Sequence, residues 1–294
     1  MSQAVKPVDQ QEERRPSALA DTLRRLDQLV PRQAVLHGRP AGPEWTNLGT
    51  LVDDGLLVDV LERLADHFHA APDQSTVRPG SPLAAHALIA RAALPAAALG
   101  AAVFGLRRLP LPRLGDLAVR WADSGARVDA IAIADAELLV LPDDELAGHE
   151  GVRVVPDLDA MHKELMAGVY DIYRPLVELT SRLGHRGLRA LWQVVSDRVA
   201  TGHIRAGRVL GRQAAAKAEV EQLLTIADKP LLQQPVWLEV EHDGVEHVFK
   251  QLSVCCLAYK TPARPDGYCA TCPLLGPGES ETLLRSRMAG SARA

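Results

Sequence analysis

Four cysteines are the residues of this chain whose type and spacing carry chemistry. They form an adjacent pair, Cys255-Cys256, a gap of twelve residues, and Cys269-Ala-Thr-Cys272. All four of the chain's cysteines thus fall in one 18-residue window of a 294-residue sequence, and such crowding implies that the sulfurs act together. The window is too small, and cysteine too rare overall, for a disulfide-stapled fold. Three other chemistries use four thiols. A structural zinc ion takes four thiolates from CxxC-type turns; Cys269–Cys272 has that form, but Cys255-Cys256 does not. Neighbours on an extended strand point to opposite sides, so both sulfurs reach one ion only if the backbone turns sharply there. Dithiol redox chemistry at Cys269-x-x-Cys272 is a second option, although Pro273 follows at once and no βαβ pattern surrounds it. A [2Fe–2S] cluster is the third. It offers two irons, each taking two thiolates, and accommodates diverging neighbours more easily than a single ion does.

The string Cys255-Cys256-Leu257-Ala258-Tyr259-Lys260, followed by Cys269-Ala270-Thr271-Cys272-Pro273-Leu274, resembles the C-terminal signature of the FhuF-type ferric-siderophore reductases. That signature is an adjacent cysteine pair, then Leu-x-Tyr-Arg/Lys, then a CxxCP after about ten residues. The hairpin before the cysteine pair and the helical segment around Leu191-Trp192 are also similar to the family. A weaker similarity extends to the C-terminal region of siderophore synthetases of the IucA/IucC type. The specific resemblance covers residues 235–275 and a general one residues 90–275, while the first 80 residues carry none. The longer gap here places its additional residues in 262–267.

The resemblance implies that Cys255, Cys256, Cys269 and Cys272 hold a [2Fe–2S] cluster that reduces ferric siderophores by one electron and releases Fe²⁺ in the cytoplasm. Siderophores bind iron through hard anionic oxygens that suit Fe³⁺ far better than Fe²⁺, so one electron turns a tight complex into a labile one. Family resemblance also suggests action near the inner face of the membrane, as a peripheral association. No GxGxxG, P-loop, HExxH or GxSxG occurs, so the electrons are expected from a separate donor such as a ferredoxin or flavoprotein. Lys250, Lys260 and Arg264 lie close to the ligands in sequence and are candidate contacts for an anionic complex. Tyr259 and Tyr268 flank the ligands as shielding or stacking groups. Trp237 is a candidate ligand-facing residue, whereas Trp192 reads as core. His67-x-His69 reads as a helix surface rather than a metal site. Two rival readings stay open. One is a non-catalytic siderophore-binding or accessory protein with a structural Cys₄ zinc site; the other is an electron carrier with no substrate site.

The elements that must position these residues are mostly helical. Alanine and leucine each occur 43 times, and both favour helices. Ser17 caps a helix ending near Pro31, with Leu19, Leu23 and Leu26 on one face. Residues 31–47 read as loop, 53–69 as an amphipathic helix, and 72–80 as a break. Ser81-Pro82 starts a long apolar helix that Pro95 kinks or splits. A second break at Pro110 and Pro112 follows. Residues 128–134 and 138–141 are short candidate strands. Helices are expected over 157–182, 186–201 and 204–227, joined through Gly184 and Gly202. The acid-rich run 129–164 reads as a solvated face, and the arginine-rich run 181–217 as a solvated or anion-binding one. Residues 236–254 form a hairpin with a type I′ turn at Asp243-Gly244.

The expected fold class is therefore mainly α (α+β): a helical body with a small antiparallel β element and a C-terminal Cys₄ cluster-binding loop. The organisation reads as a disordered tail (1–16), an N-terminal helical region (17–125), a helical body (126–234), a β-hairpin and [2Fe–2S]-binding segment (235–278) and a tail (279–294). A formal charge of −4 with 4% aromatics argues against nucleic acid as a partner. The N-terminus lacks the apolar core of a secretory signal. The uncharged stretch 92–106 is too short to span a bilayer and reads as a buried helix, so the expected location is cytoplasmic.

Overall fold

The computed structural model describes residues 17–31, 33–69, 81–122, 127–261 and 267–291. The expected tail 1–16, the break at 72–80 and the candidate contact Arg264 lie outside the described residues, as does the side chain of His69. The chain is mainly α with a smaller β component, 54% helix and 16% strand.

The helices follow local signals. α1 (Ala18–Asp27) starts where the Ser17 hydroxyl accepts from the Ala20 N–H, and buries Leu19, Leu23 and Leu26. α2 spans Asp54–His69. Ser81 caps α3 (Pro82–Ala92), and Pro95 lies in the first turn of α4 (Leu94–Leu106), so the apolar run is two helices rather than one. By length and composition Pro82–Leu106 matches a membrane-crossing helix, but nearly all of it is buried inside the protein, as in a core helix. α5 (Leu158–Gly184), α6 (Leu188–Val209) and α7 (Gln213–Ile226) form the body, and α8 (Pro277–Ser291) closes the chain.

Gly202 is not the helix joint that its residue type suggested. It lies inside α6, because the backbone of α4 passes there. A Cβ on Gly202 would sit 1.8 Å from the Ala97 carbonyl oxygen, and one on Gly100 would sit 2.4 Å from that of Val199. The two glycines let α4 and α6 cross at backbone distance, which fixes α6 against the centre of the core.

Three strands lie in segments that read as loop or break, and two others fall on the candidate strands 128–134 and 138–141. β1 (Ala34–His37), β2 (Trp45–Asn47), β4 (Leu117–Trp121) and β5 (Val128–Ile133) form one sheet in the order β1-β5-β4-β2, with β1 parallel to β5. β3 (Arg108–Leu111), β6 (Glu137–Val140) and β7 (Val152–Val154) form a second sheet, with β7 parallel to β6. These strands are three to six residues long, and β1 finds its partner far along the chain, so no local periodicity announces β1, β2 or β3. The first sheet also joins the two sides of residue 125, so regions 17–125 and 126–234 share one core.

The acid-rich run is partly structural rather than only solvated. Asp144 and Glu145 accept from the buried Arg108, and Glu137 and Glu164 clasp Arg153. Farther inside, Glu219 of α7 takes both oxygens to Arg107 at 2.7 and 2.8 Å and accepts from His162 of α5 at 3.1 Å. His203 of α6 lies beside it, its Nδ1–H donating to the Val199 carbonyl at 3.1 Å. These three groups are close enough to hold an ion, but Arg107 already balances the one carboxylate, so the cluster ties the helices without needing one.

Two predictions follow from this packing. Gly202→Ala should lower the unfolding free energy by about 3 kcal/mol in urea denaturation, although alanine is the better helix former. Burial holds His203 down to about 4; burial would raise Glu219, but His162 and Arg107 outweigh it and hold the carboxyl at about 2. Both folded values lie below the unfolded ones. The stability they contribute is therefore present at neutral pH and falls as pH drops, first through the window from 6.5 to about 4 set by His203. Denaturation midpoints measured from pH 7 to pH 4 should decline, and His203→Gln should flatten that decline.

Candidate metal centre

The hairpin delivers the first cysteine pair. β8 (Trp237–His242) and β9 (Val245–Lys250) pair antiparallel across Asp243 and Gly244, both at positive φ as the I′ turn requires. β9 ends at Lys250, and the five residues from Gln251 to Cys255 are anchored individually. The Leu252 N–H donates to the Thr271 carbonyl at 2.9 Å, and the Gln251 amide donates to the Cys272 carbonyl at 3.1 Å. These bonds hold the Cys269–Cys272 turn, closed by Cys272 N–H to Cys269 O at 3.0 Å, against the strand exit.

The backbone turns sharply one residue beyond the pair. Leu257 has φ +66°, a left-handed conformation uncommon outside glycine, and leads into a short 3₁₀ turn over Ala258–Lys260. That turn lets the Leu257 N–H reach back to the Cys255 sulfur at 3.4 Å. Cys255, Cys256 and Cys269 are half-buried and Cys272 is buried. The Cys256 and Cys269 sulfurs stand 3.6 Å apart. Cys272 and Cys256 both lie near enough to Cys255 to act on its thiol. Burial pushes the Cys255 thiol up, against the Leu257 N–H, and the nearby sulfurs add to the rise.

A metal with bonds of about 2.3 Å in tetrahedral geometry holds its thiolates about 3.8 Å apart. The Cys256–Cys269 separation is that of two thiolates on one ion. Among the described residues, the three ligand-type side chains that gather within 4.8 Å are His162, His203 and Glu219, not three of the sulfurs.

The candidate contacts have different settings. Lys250 does not face solvent. Its side chain is 5% exposed, and its ammonium lies 2.5 Å from Asp197 Oδ1 of α6 and 2.9 Å from the Ser253 hydroxyl. Asp197 also accepts from the Ser253 N–H at 2.8 Å, so Lys250 is spent on fastening the strand exit to α6. Trp237 is half-buried against the main core with Lys217 over its ring, and its indole N–H is buried without a partner among the described residues. Tyr259 and Tyr268 pack together, ring centroids 4.9 Å apart, as a wall beside the ligands, and Lys260 lies exposed over Tyr259. Trp192 is buried and stacks on Tyr170.

The arginine-rich run is distributed among separate tasks. Arg182 pairs with Asp54, Arg208 donates to the Val248 carbonyl, and Lys217 pairs with Glu239. Arg186 instead turns to the cysteines and donates to the Cys255 carbonyl at 2.9 Å. Arg91 of α3, which acts electrostatically on Cys256, and His86 beside it escaped the sequence reading. A lone arginine and histidine inside an otherwise apolar helix were the available signal. A cleft of about 570 Å³ opens next to the site, lined by Arg189, Gln193, Leu232, Gln233, Gln251 and Pro273 among others.

No family model matches this chain, and no curated protein matches it.

The Lys250 anchor gives a direct test. Lys250→Met leaves Asp197 buried without its cation and should cost about 3 kcal/mol of stability in chemical denaturation. Adding Asp197→Leu to that variant should recover part of the loss.

Proposed function

We propose that this protein is a one-electron reductase of ferric siderophores, with a [2Fe–2S] cluster held by Cys255, Cys256, Cys269 and Cys272. The observation that carries the reading is the gathering of the four cysteines at one strand exit, with the Cys256 and Cys269 sulfurs 3.6 Å apart and the Cys269–Cys272 turn bonded to Gln251 and Leu252. The similarity of the cysteine string to the FhuF-type reductases supports the same ligand set. Bound there, the cluster supplies a one-electron relay between an external donor and the substrate iron.

The chain's own residues do the rest. Leu257 N–H donates to the Cys255 sulfur, a contact that stabilises negative charge on it. Tyr259 and Tyr268 limit water on one side. The neighbouring cleft offers amides from Gln193, Gln233 and Gln251, with Arg189 at its edge, to a polar complex. Its wall includes Pro273, next to the ligand Cys272, so a complex seated there lies close to the sulfurs. One electron from a ferredoxin or flavoprotein reduces Fe³⁺ of the bound complex to Fe²⁺, and the donor is oxidised by one electron. The weakened complex then releases Fe²⁺ into the cytoplasm, where the protein acts alone or as a peripheral partner of the membrane's inner face.

The test begins with protein purified without oxygen. It should be coloured, with about two irons and two sulfides per chain, and Cys256→Ser or Cys269→Ser should lose most of that absorption. Reduced protein mixed with a ferric siderophore and an Fe²⁺ chelator should yield the chelate. A colourless protein with one zinc overturns the reading in favour of an accessory protein. A coloured protein that leaves the ferric complex intact reduces it to an electron carrier.

A further inference from the structure

The second cysteine turn belongs to a small apolar core of its own. Ala270, between Cys269 and Cys272, is 2% exposed and clusters with Leu238 and Val240 of β8 and Leu284 of α8. Phe249 of β9 and Leu283 and Met288 of α8 pack against that cluster. It is separate from the main core, which reaches the hairpin through Trp237 and Val248. Alternation along the strands explains the division. Leu238 and Val240 share a face of β8, and Phe249 stands opposite Leu238 across the ladder. The hairpin therefore turns one face to the body and the other to α8.

The chain also joins α8 directly to the sulfurs. The helix begins at Pro277, five residues after Cys272. The Leu275 N–H donates to the Cys272 carbonyl at 3.2 Å, and the Gln251 amide donates to the Cys272 and Leu275 carbonyls at 3.1 and 3.3 Å. The start of α8 is thus fixed by the ligand turn, and Leu284 seats its middle in the core that contains Ala270. That core has only four buried side chains, a weak hold on a helix of 15 residues, which is marginal when isolated. Metal bonds to Cys269 and Cys272 pin the backbone between them, Ala270 included. Where binding orders the ligand segment, its free energy is also free energy of local folding.

We propose that α8 is a working part of the four-sulfur centre: Leu284 is a positioning residue for the Cys269–Cys272 turn, and the seating of α8 and the loading of the centre support each other. The assignment rests on the four cysteines holding a metal group, as read above, and not on that group being iron. The coupling is reciprocal, so a helix that holds the turn tightens the metal, and a metal that holds the turn seats the helix. Loss of the group releases α8 and uncovers the Leu238 and Val240 face of the hairpin. An emptied chain then presents an apolar surface that a loaded chain hides.

The experiment is hydrogen–deuterium exchange on the full-length protein, first loaded as purified without oxygen, then stripped by a chelator with its thiols kept reduced. Exchange of the α8 amides should quicken about tenfold on stripping, while those of α6 keep their rate. L284A should give up its metal to the chelator about tenfold faster than wild type. L284M should restore most of the retention, because it refills the volume. L64A, which opens a cavity in the main core at α2, should destabilise the fold and leave metal loss unchanged. If L284A does not fold, the exchange comparison on the wild-type protein decides alone. Protection of α8 that survives stripping, metal retention in L284A equal to wild type, or equal acceleration in L64A overturns this proposal and leaves the reductase reading standing. A wild-type protein that holds zinc overturns the reductase reading alone, since the zinc form is stripped and compared in the same way. A chain that takes up neither iron with sulfide nor zinc overturns both.

Discussion

The contact between Lys250 and Asp197 decides how the C-terminal third of this protein is held. Both groups are almost completely buried, and they meet at 2.5 Å with Ser253 closing the ring. An isolated charge in that place would be untenable, so each group requires the other. The consequence is geometric. Asp197 belongs to α6, and α6 is fixed to α4 by the glycine crossing at Gly100 and Gly202. Lys250 and Ser253 bracket the exit of the hairpin. The position of Cys255 is thus referred, through one ion pair, to the most tightly packed helices of the core. A two-stranded hairpin is only marginally stable alone, so its register on the body depends on such a tether.

The same helix carries both signs of charge beside that tether. Asp197 and Arg198 are consecutive and project from one turn of α6, yet their fates differ. Asp197 is saturated by Lys250 and the Ser253 N–H, so it does little to offset its neighbour. Burial lowers the hold of Arg198 and of Arg91 on the proton, to about 10 in each case.

Much of the fold was legible because its signals are local. Pro95 marks the division between α3 and α4, Ser17 and Ser81 mark helix starts, and Asp243-Gly244 marks the hairpin. The crowding of the cysteines marked them as a candidate site, while their spacing left zinc, dithiol and cluster chemistry open. What was illegible depends on contacts between distant segments. Gly202 is punctuation in a sequence but a point of backbone contact in three dimensions. β1 is four residues whose partner is β5, so pairing rather than propensity makes it a strand. Lys250 is a cation near cysteines in sequence, and only the position of Asp197 on another element reveals that it is buried. Arg91 is the reverse case, remote in sequence from the cysteines and yet close enough to act on Cys256.

Exposure argues for the direction in which the site works. Cys272 is buried, whereas Cys255, Cys256 and Cys269 are half-buried. Tyr268 and Leu274, on either side of the second cysteine turn, are each more than a third exposed. A purely structural metal gains by being sealed, since water and competing ligands only loosen it. An electron relay cannot be sealed, because its partners must approach its ligands closely. It also cannot be open, because water would raise the cost of reorganising the surroundings with each change of charge. The site here is walled on one flank by two tyrosines and bordered on another by the cleft at Gln251 and Pro273. Three of its four sulfur-bearing residues stay partly exposed, less sealed than a purely structural metal would favour.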